Sequence, residues 1–206
     1  LIGRITGEHG HQDAARSTAE AVFASGNALP LAARYARVGL ALEAVDSGNE
    51  ALAAEQYDAL GSLQGTFMPA LSVSFDHLLG LMARTTGNPD RAMAHFEDAL
   101  EFCRQAGYRP ELAWSSCDYA EALIERDATG DSARAIDLLD ESMSIAGDLG
   151  MRPLSERAAA IKAVEESGPS RPPEFPAGLT QWEVEVLRLI SGGKTDREIG
   201  EEVFIS

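Results

Sequence analysis

Along residues 1–165, apolar positions recur at the three- and four-residue spacing of amphipathic helices, and glycines separate the helical stretches. One longer pattern repeats: a glycine, an alanine five residues later, and a large side chain four residues after that. The copies start 39 and 43 residues apart, and a fainter one precedes them at Gly10, Ala15 and Ala19. Periods of this length are typical of stacked helical hairpins. The three clear copies are Gly48-Ala53-Tyr57, Gly87-Ala92-Phe96 and Gly130-Ala135-Leu139.

Each position of the pattern has a physical role in a helical hairpin. The glycine ends the first helix in a left-handed conformation, and the alanine lets the second helix approach closely. The large residue fills the space between neighbouring hairpins. Asn88 and Pro89 are predicted to cap and start a helix. The segments Gly107–Pro110 and Gly150–Pro153 are predicted to end one hairpin and begin the next, since proline starts helices but does not continue them.

The predicted fold class is all-α, with residues 1–165 forming an α-solenoid of roughly eight helices. The middle copy resembles the tetratricopeptide repeat, through Leu79 and Gly80 on its first helix and Ala92 and Phe96 on its second. It departs from that family at Asp76, where an aromatic residue is expected, and by its longer period. The resemblance implies a concave groove for an effector or protein partner. Exposed candidates for that groove, which packing roles explain equally well, are Tyr108, Arg109 and Trp114.

Composition limits the classes of function. The chain has 206 residues, 45% of them hydrophobic and 6% aromatic, and a net charge of −16. That charge favours solubility and opposes nucleic acid at long range. Cys103 and Cys117 have no metal-ligand spacing and are expected to be half-buried thiols in a reducing, cytoplasmic setting. No membrane helix or signal peptide is expected, and the first residue, Leu1, indicates a piece of a longer protein.

Residues 166–178 read ESGPSRPPEFPAG, with four prolines and two glycines. This composition predicts a stiff linker between two folding units.

Residues 179–206 contain two capping boxes, Thr180–Glu183 and Thr195–Glu198. Each predicts a short helix, and Gly192-Gly193 predicts the turn between them. The apolar positions predict a small hairpin core formed by Leu179, Val186, Leu187, Ile190, Ile199, Val203 and Ile205.

This last segment resembles the helix-turn-helix domain of LuxR-type transcriptional regulators. The order Leu-Thr, an acidic residue, an apolar run, Gly, Thr, Glu-Ile and Phe-Ile-Ser is that of the family, with mild departures at Gly200 and Val203. The whole layout is similar to large LuxR-family regulators of the maltose-activator type. The resemblance implies an ATPase or cyclase module upstream of Leu1, and a homodimer on paired DNA half-sites.

In that family the helix after the Ile-Ser turn reads DNA bases, and this sequence stops at Ser206, before it. Residues 194–206 would contribute only backbone contacts, at the start of the supporting helix. Thr195 equally serves as a cap alone, and Arg197 equally pairs with Glu201. The sequence therefore predicts weak or no DNA binding by residues 1–206. The predicted DNA-backbone contacts are Lys194, Thr195, Asp196 and Arg197.

Enzymatic chemistry is not indicated, and no cofactor or metal is predicted. The sequence has no phosphate-binding glycine loop with Lys-Ser/Thr. Glu8, His9 and His11 are interpreted as a solvated terminal segment. His77 and His95 are interpreted as ordinary surface or groove residues. Two hypotheses remain: a LuxR-type DNA-binding regulator whose repeats sense an effector or partner, and a repeat-type interaction module without DNA binding.

Overall fold

The computed structural model describes residues 12–25, 29–167, 187, 189–191 and 194. Between residues 12 and 167 the described chain forms eight α-helices, which agrees with the predicted number and with an all-α fold. They are α1 Gln12–Ala24, α2 Pro30–Ser47, α3 Glu50–Leu60, α4 Phe75–Thr85, α5 Pro89–Ala106, α6 Arg109–Arg126, α7 Asp131–Leu149 and α8 Arg152–Ser167.

Helices α1 to α7 pack against their neighbours in sequence, as in a stack of helical hairpins. Helix α4 also contacts both α2 and α6. Helices α2, α4 and α6 therefore lie side by side along one surface of the stack. In a solenoid of hairpins this is the surface on which a ligand groove forms.

The repeated alanine and large residue occupy the predicted positions. The three alanines, and also Phe96 and Leu139, have 0% of their surface exposed. A Cβ added to Gly80 would lie 3.1 Å from the ring of Phe96, so α4 and α5 approach closely there. Tyr57 differs because it is only partly buried and carries a polar tip. The three alanines are Ala53, Ala92 and Ala135.

Two of the three repeated glycines end a helix, as predicted. Gly48 caps α2 with φ of 64°, and Gly87 follows α4 with φ of 70°. The prediction for Gly130 is wrong, because Gly130 directly precedes α7 and Asp127 ends α6 with φ of 51°. The connection here is longer, and aspartate is among the residues that tolerate the left-handed region.

Asn88 occupies the predicted cap position before α5, but its side chain does not cap the helix. Its side-chain amide donates to the carbonyl of Thr86 at 3.3 Å and makes no bond to the following helix. At the corresponding position before α3, the side chain of Asn49 does cap the helix, accepting from the N–H of Leu52 at 3.1 Å. Pro89 does occupy the first turn of α5. The two Gly-to-Pro segments behave as predicted, since Gly107 and Gly150 cap α5 and α7 and a new helix begins two residues after each.

A small insertion between α3 and α4 was not predicted. Residues 61–74 form two 3-10 turns and a two-stranded antiparallel ribbon, β1 Phe67–Met68 paired with β2 Val73–Ser74. The ring of Phe67 stacks on Tyr108 at 4.1 Å between centroids. The insertion therefore packs against the α5–α6 turn.

Leucine, alanine and methionine side chains fill the core of the stack between the helices. Cys103 and Cys117 lie inside it with 0% exposure, so the expectation that they are half-buried is wrong. Burial, followed by the charges of Glu111 and Asp76, raises the pKa of Cys103 to about 12. The thiol at this position therefore stays protonated at neutral pH.

Contacts divide the chain into two units, residues 1–165 and 166–206. Helix α8 continues to Ser167, so the first two residues of the predicted linker 166–178 are helical. The rest of that linker lies outside the described residues. None of the described helices combines the length and apolar content that crossing a bilayer requires.

Candidate functional site

The even-numbered helices α2, α4, α6 and α8 line a groove with a volume of about 660 Å³. We call it the concave groove. Its α2 end carries Leu42 and Val45 beside Asp46, and the wall is most strongly charged where α4, α6 and α8 meet. The charged and aromatic residues of the wall are Asp46, Arg84, Trp114, Asp118, Glu121, Glu125 and Arg157.

Arg84 on α4 is held by two acids of α6. Its Nε lies 2.6 Å from a carboxylate oxygen of Glu125, and its Nη1 lies 3.2 Å from Glu121. Burial alone would lower the pKa of Arg84, but the hydrogen bond and charge of Glu125 outweigh it and raise that pKa. The guanidinium therefore remains charged and is fixed across the groove between two helices.

Arg157 on α8 reaches the same part of α6. One guanidinium nitrogen lies 2.8 Å from Asp118 and 2.8 Å from Glu121. The guanidinium also lies 5.9 Å from the ring centroid of Trp114, which is cation–π distance. Burial opposes the charge here too, yet the acids, Asp118 first, raise the pKa of Arg157. Glu121 is thus shared by arginines from both sides.

A second cavity of about 560 Å³ lies near the α7–α8 turn, between the insertion and the start of α6. Its wall is largely apolar and includes Leu71, Val73 and Met151. Trp114 lines both this cavity and the concave groove. One indole therefore forms part of a charged surface and part of an apolar one.

A buried polar cluster lies beneath the groove, centred on His77, which is 0% exposed. Its Nδ1 lies 2.8 Å from a carboxylate oxygen of Glu111, and its Nε2 lies 2.8 Å from Asp118. The same Glu111 oxygen accepts the backbone N–H of Ser74 at 2.8 Å. Asp118 connects this cluster to Arg157 and so to the groove. We call these residues the His77 cluster.

The interpretation of His77 and His95 as surface or groove residues is wrong. Both are buried, His77 completely and His95 with 8% exposed. His95 Nε2 lies 2.8 Å from the hydroxyl of Tyr57, and the rings meet edge to face. Histidine is intermediate in hydropathy, so a single sequence does not reveal its burial.

The candidate groove residues have different roles. Trp114 does line the concave groove. Tyr108 is 38% exposed, and one face of its ring stacks on Phe67. Arg109 forms an exposed ion pair with Asp148 at 2.6 Å. The groove residues Arg84, Glu121, Glu125 and Arg157 were not predicted, because they are recognisable only once the helices that line one surface are known.

The predicted DNA-contact and helix-turn-helix core residues are only partly described. The N–H of Lys194 donates to the carbonyl of Leu189 at 3.2 Å, and its side chain is exposed. Leu187 and Ile190 lie in helical residues and are 49% and 54% exposed. Their assignment to a core stays a prediction. The remaining predicted residues lie outside the described part of the chain: Leu179, Val186, Thr195, Asp196, Arg197, Ile199, Val203 and Ile205.

Comparison with known proteins supports the repeat architecture. Residues 72–148, which cover the end of the insertion and α4 to α7, match the family described as Tetratricopeptide repeat. No curated protein and no solved structure gives a significant match. The chain therefore contains a region of tetratricopeptide type, an architecture associated with protein interaction.

Proposed function

We propose that the concave groove binds a protein segment carrying basic side chains, and that it does so as the partner-sensing region of a LuxR-type DNA-binding transcriptional regulator. The groove proposal is supported by the charge of its wall, where four acids stand against two arginines. Both arginines already pair with these acids, so the excess charge is negative. A basic segment complements such a surface.

The geometry suggests how a basic side chain would enter. Glu125 is 58% exposed at the rim, so its carboxylate is accessible from solvent even while it pairs with Arg84. An incoming lysine or arginine can therefore share this carboxylate with Arg84. Trp114 supplies an aromatic face beside the acids, of the kind that anchors interface residues.

Fluorescence tests the groove directly. The chain has two tryptophans, so Trp182→Phe leaves Trp114 as the only reporter. Titration with a lysine- and arginine-rich peptide is expected to change its emission saturably. An acidic peptide of equal length is expected to have no effect. Glu125→Lys should abolish the response.

Glu101→Lys is the matched control, because Glu101 is an exposed acid on α5 that bonds only locally, to Gln105 at 2.9 Å, and does not line the groove. It should leave the response intact. Equal binding of acidic and basic peptides, or equal loss in both variants, would contradict the groove proposal.

The DNA-binding part of the proposal is supported by the order of motifs in residues 179–206, in which Lys194 to Arg197 open the predicted supporting helix. We expect a chain extended past Ser206 along its own reading frame to bind duplex DNA with strong salt dependence. Residues 1–206 alone should bind weakly or not at all.

If the extended chain shows no salt-dependent affinity for DNA, the regulator proposal fails while the groove proposal stands. The second candidate function, an interaction module without DNA binding, then remains. The repeat match over residues 72–148 supports that candidate equally.

A further inference from the structure

Two buried polar atoms on facing helices meet without a hydrogen-bond partner. They are Oδ1 of Asp76 on α4 and Nδ1 of His95 on α5, which lie 3.8 Å apart. Asp76 is 1% exposed and His95 8% exposed. An unpaired buried carboxylate oxygen is costly, so the arrangement calls for a further group between these atoms.

The missing group is not supplied by a direct bond between the two side chains. A distance of 3.8 Å is well beyond a normal hydrogen bond. His95 Nε2 is already engaged by the Tyr57 hydroxyl at 2.8 Å. When Nε2 carries the proton and donates it to Tyr57, Nδ1 presents a lone pair towards the Asp76 oxygen. Two electron-rich atoms that face each other in this way suit a cation between them.

A third ligand stands beside them. Asp98 follows His95 by three residues, so both side chains project from the same face of α5. One carboxylate oxygen of Asp98, one of Asp76 and a ring nitrogen of His95 all lie within 4.8 Å of one another. Asp98 is exposed, so an ion can enter from its side.

We propose that Asp76, His95 and Asp98 bind a divalent transition metal ion, with Zn²⁺ as its representative. We call these residues the His95 cluster. A set of one imidazole and two carboxylates suits this class of ion, whereas Mg²⁺ and Ca²⁺ prefer oxygen ligands alone. Bonds of about 2.0–2.2 Å at tetrahedral angles place ligand atoms roughly 3.3 Å apart. Side-chain movements have to close the 3.8 Å between Asp76 and His95 and the separations of up to 4.8 Å within the three-residue set, in which Asp98 is exposed. A water molecule completes four-fold coordination on the exposed side.

Groups around the His95 cluster already orient each ligand. The N–H of Gly65 donates to the other oxygen of Asp76 at 2.7 Å, and Gln64 donates to Asp98 at 3.1 Å. Tyr57 fixes the ring of His95. Such second partners hold metal ligands in position and make them better donors. Two of these three orienting groups, Gln64 and Gly65, belong to the insertion after α3. Orienting the metal ligands is therefore a role for this unpredicted segment.

The His95 cluster is separate from the concave groove, since none of its ligands lines that groove. The metal proposal therefore goes beyond the proposed function, and neither depends on the other.

Competition against a chromophoric chelator tests the site. Metal-free protein titrated with Zn²⁺ is expected to bind one ion per chain. Asp98→Ala should weaken binding at least about tenfold, and Tyr57→Phe should weaken it by about 10–100-fold by removing an orienting partner. Because Asp98 is exposed, its variant should fold and melt like the wild type when metal-free. Glu101→Ala, three residues further along α5, is the matched control and should bind normally.

Terminal histidines and thiols are the competing ligands. His9→Ala combined with His11→Ala should leave the bound ion in place. X-ray absorption of the Zn²⁺ complex should show nitrogen and oxygen neighbours and no sulfur. The proposal is overturned if Asp98→Ala and His95→Gln bind Zn²⁺ as the wild type does. Loss of the ion in the terminal double variant, or a sulfur neighbour, overturns it equally.

Discussion

The His77 and His95 clusters differ in how completely their hydrogen bonds are satisfied. Each is centred on a buried histidine and contains two acids, both from α6 in the His77 cluster and one each from α4 and α5 in the His95 cluster. In the His77 cluster both ring nitrogens lie 2.8 Å from carboxylate oxygens. In the His95 cluster one nitrogen is bonded and the other faces an unpaired oxygen 3.8 Å away.

This difference indicates different roles for similar residues. Both ring nitrogens of His77 have a carboxylate partner, Glu111 or Asp118, and Asp118 also pairs with Arg157. A closed network of this kind stabilises one packing arrangement of the helices. The open His95 cluster has two buried polar atoms without a hydrogen-bond partner, to which a ligand can bond.

The largest expected effect is on the closed cluster. His77→Leu removes the shared partner of two buried carboxylates and should lower the free energy of unfolding by about 3–5 kcal/mol. Urea denaturation measures this change. Arg109→Ala breaks the exposed ion pair with Asp148. It should lower the free energy of unfolding by at most about 1 kcal/mol. A His77→Leu cost as small as that of Arg109→Ala would show that the cluster is not a structural network.

Metal addition should affect only the open cluster. At a free Zn²⁺ concentration 100 times its Kd, the wild type should gain about 2.7 kcal/mol of stability. Asp98→Ala, measured at the same concentration, should gain far less. Thermal melts with and without a chelator provide the measurement. A Zn²⁺ shift of equal size in both proteins would assign the effect to another site.

Phe96 adjoins both clusters. It follows His95 along α5, and its ring centroid lies 6.1 Å from the ring centroid of His77. Gly80→Ala places a Cβ 3.1 Å from this ring, which is fully buried and stacked on Tyr119 at 5.3 Å. The overpacking should cost about 1–3 kcal/mol, of which helix propensity returns at most about 1 kcal/mol.

Gly39→Ala in α2 is the matched control for this substitution. A Cβ at Gly39 meets no atom within 4 Å, so the variant should be stabilised by up to about 1 kcal/mol. Chemical denaturation of both variants decides the comparison. Stabilisation of similar size by both substitutions would mean that the ring of Phe96 moves aside freely.

The smallest expected effect is a change in the pKa of Cys103. This pKa is raised by burial and by one acid from each cluster. Its folded pKa of about 12 lies above the ordinary 9.0, so the stabilising contribution is complete below pH 9 and is lost as the pH rises towards 12. Cys117→Ala isolates this thiol for thiolate absorbance.

Each acid can then be neutralised in the Cys117→Ala background. Glu111→Gln should lower the pKa of Cys103 more than Asp76→Asn does, because the charge of Glu111 contributes more. Zn²⁺ should also lower it by neutralising Asp76. An unchanged pKa in both variants would leave burial as its only cause.

Local signals predicted most of the hairpin framework. The turn glycines and the prolines after them specify backbone conformation by themselves, which is why Gly48, Gly87, Gly107 and Gly150 lie where they were expected. The predicted side-chain cap of Asn88 and the predicted helix end at Gly130 were wrong because several nearby residues can end or cap a helix. Packing selects among them. The insertion was missed because its strands are only two residues long.

The groove and the two clusters required the tertiary structure. Their partners are distant in sequence: 34 and 41 residues separate His77 from its acids, and 37 or more separate Arg84 from its own. Neighbouring positions on α4 give no indication that Asp76 faces α5 while His77 faces α6.

By itself, the sequence determined an all-α repeat, its period and most of its helix ends, because these depend on local conformation and on helical periodicity. Only the tertiary structure decided which buried histidine is fully paired and which is left open. A hydrogen bond depends on tenths of an ångström, and the packing of α4 against α5 and α6 sets those distances.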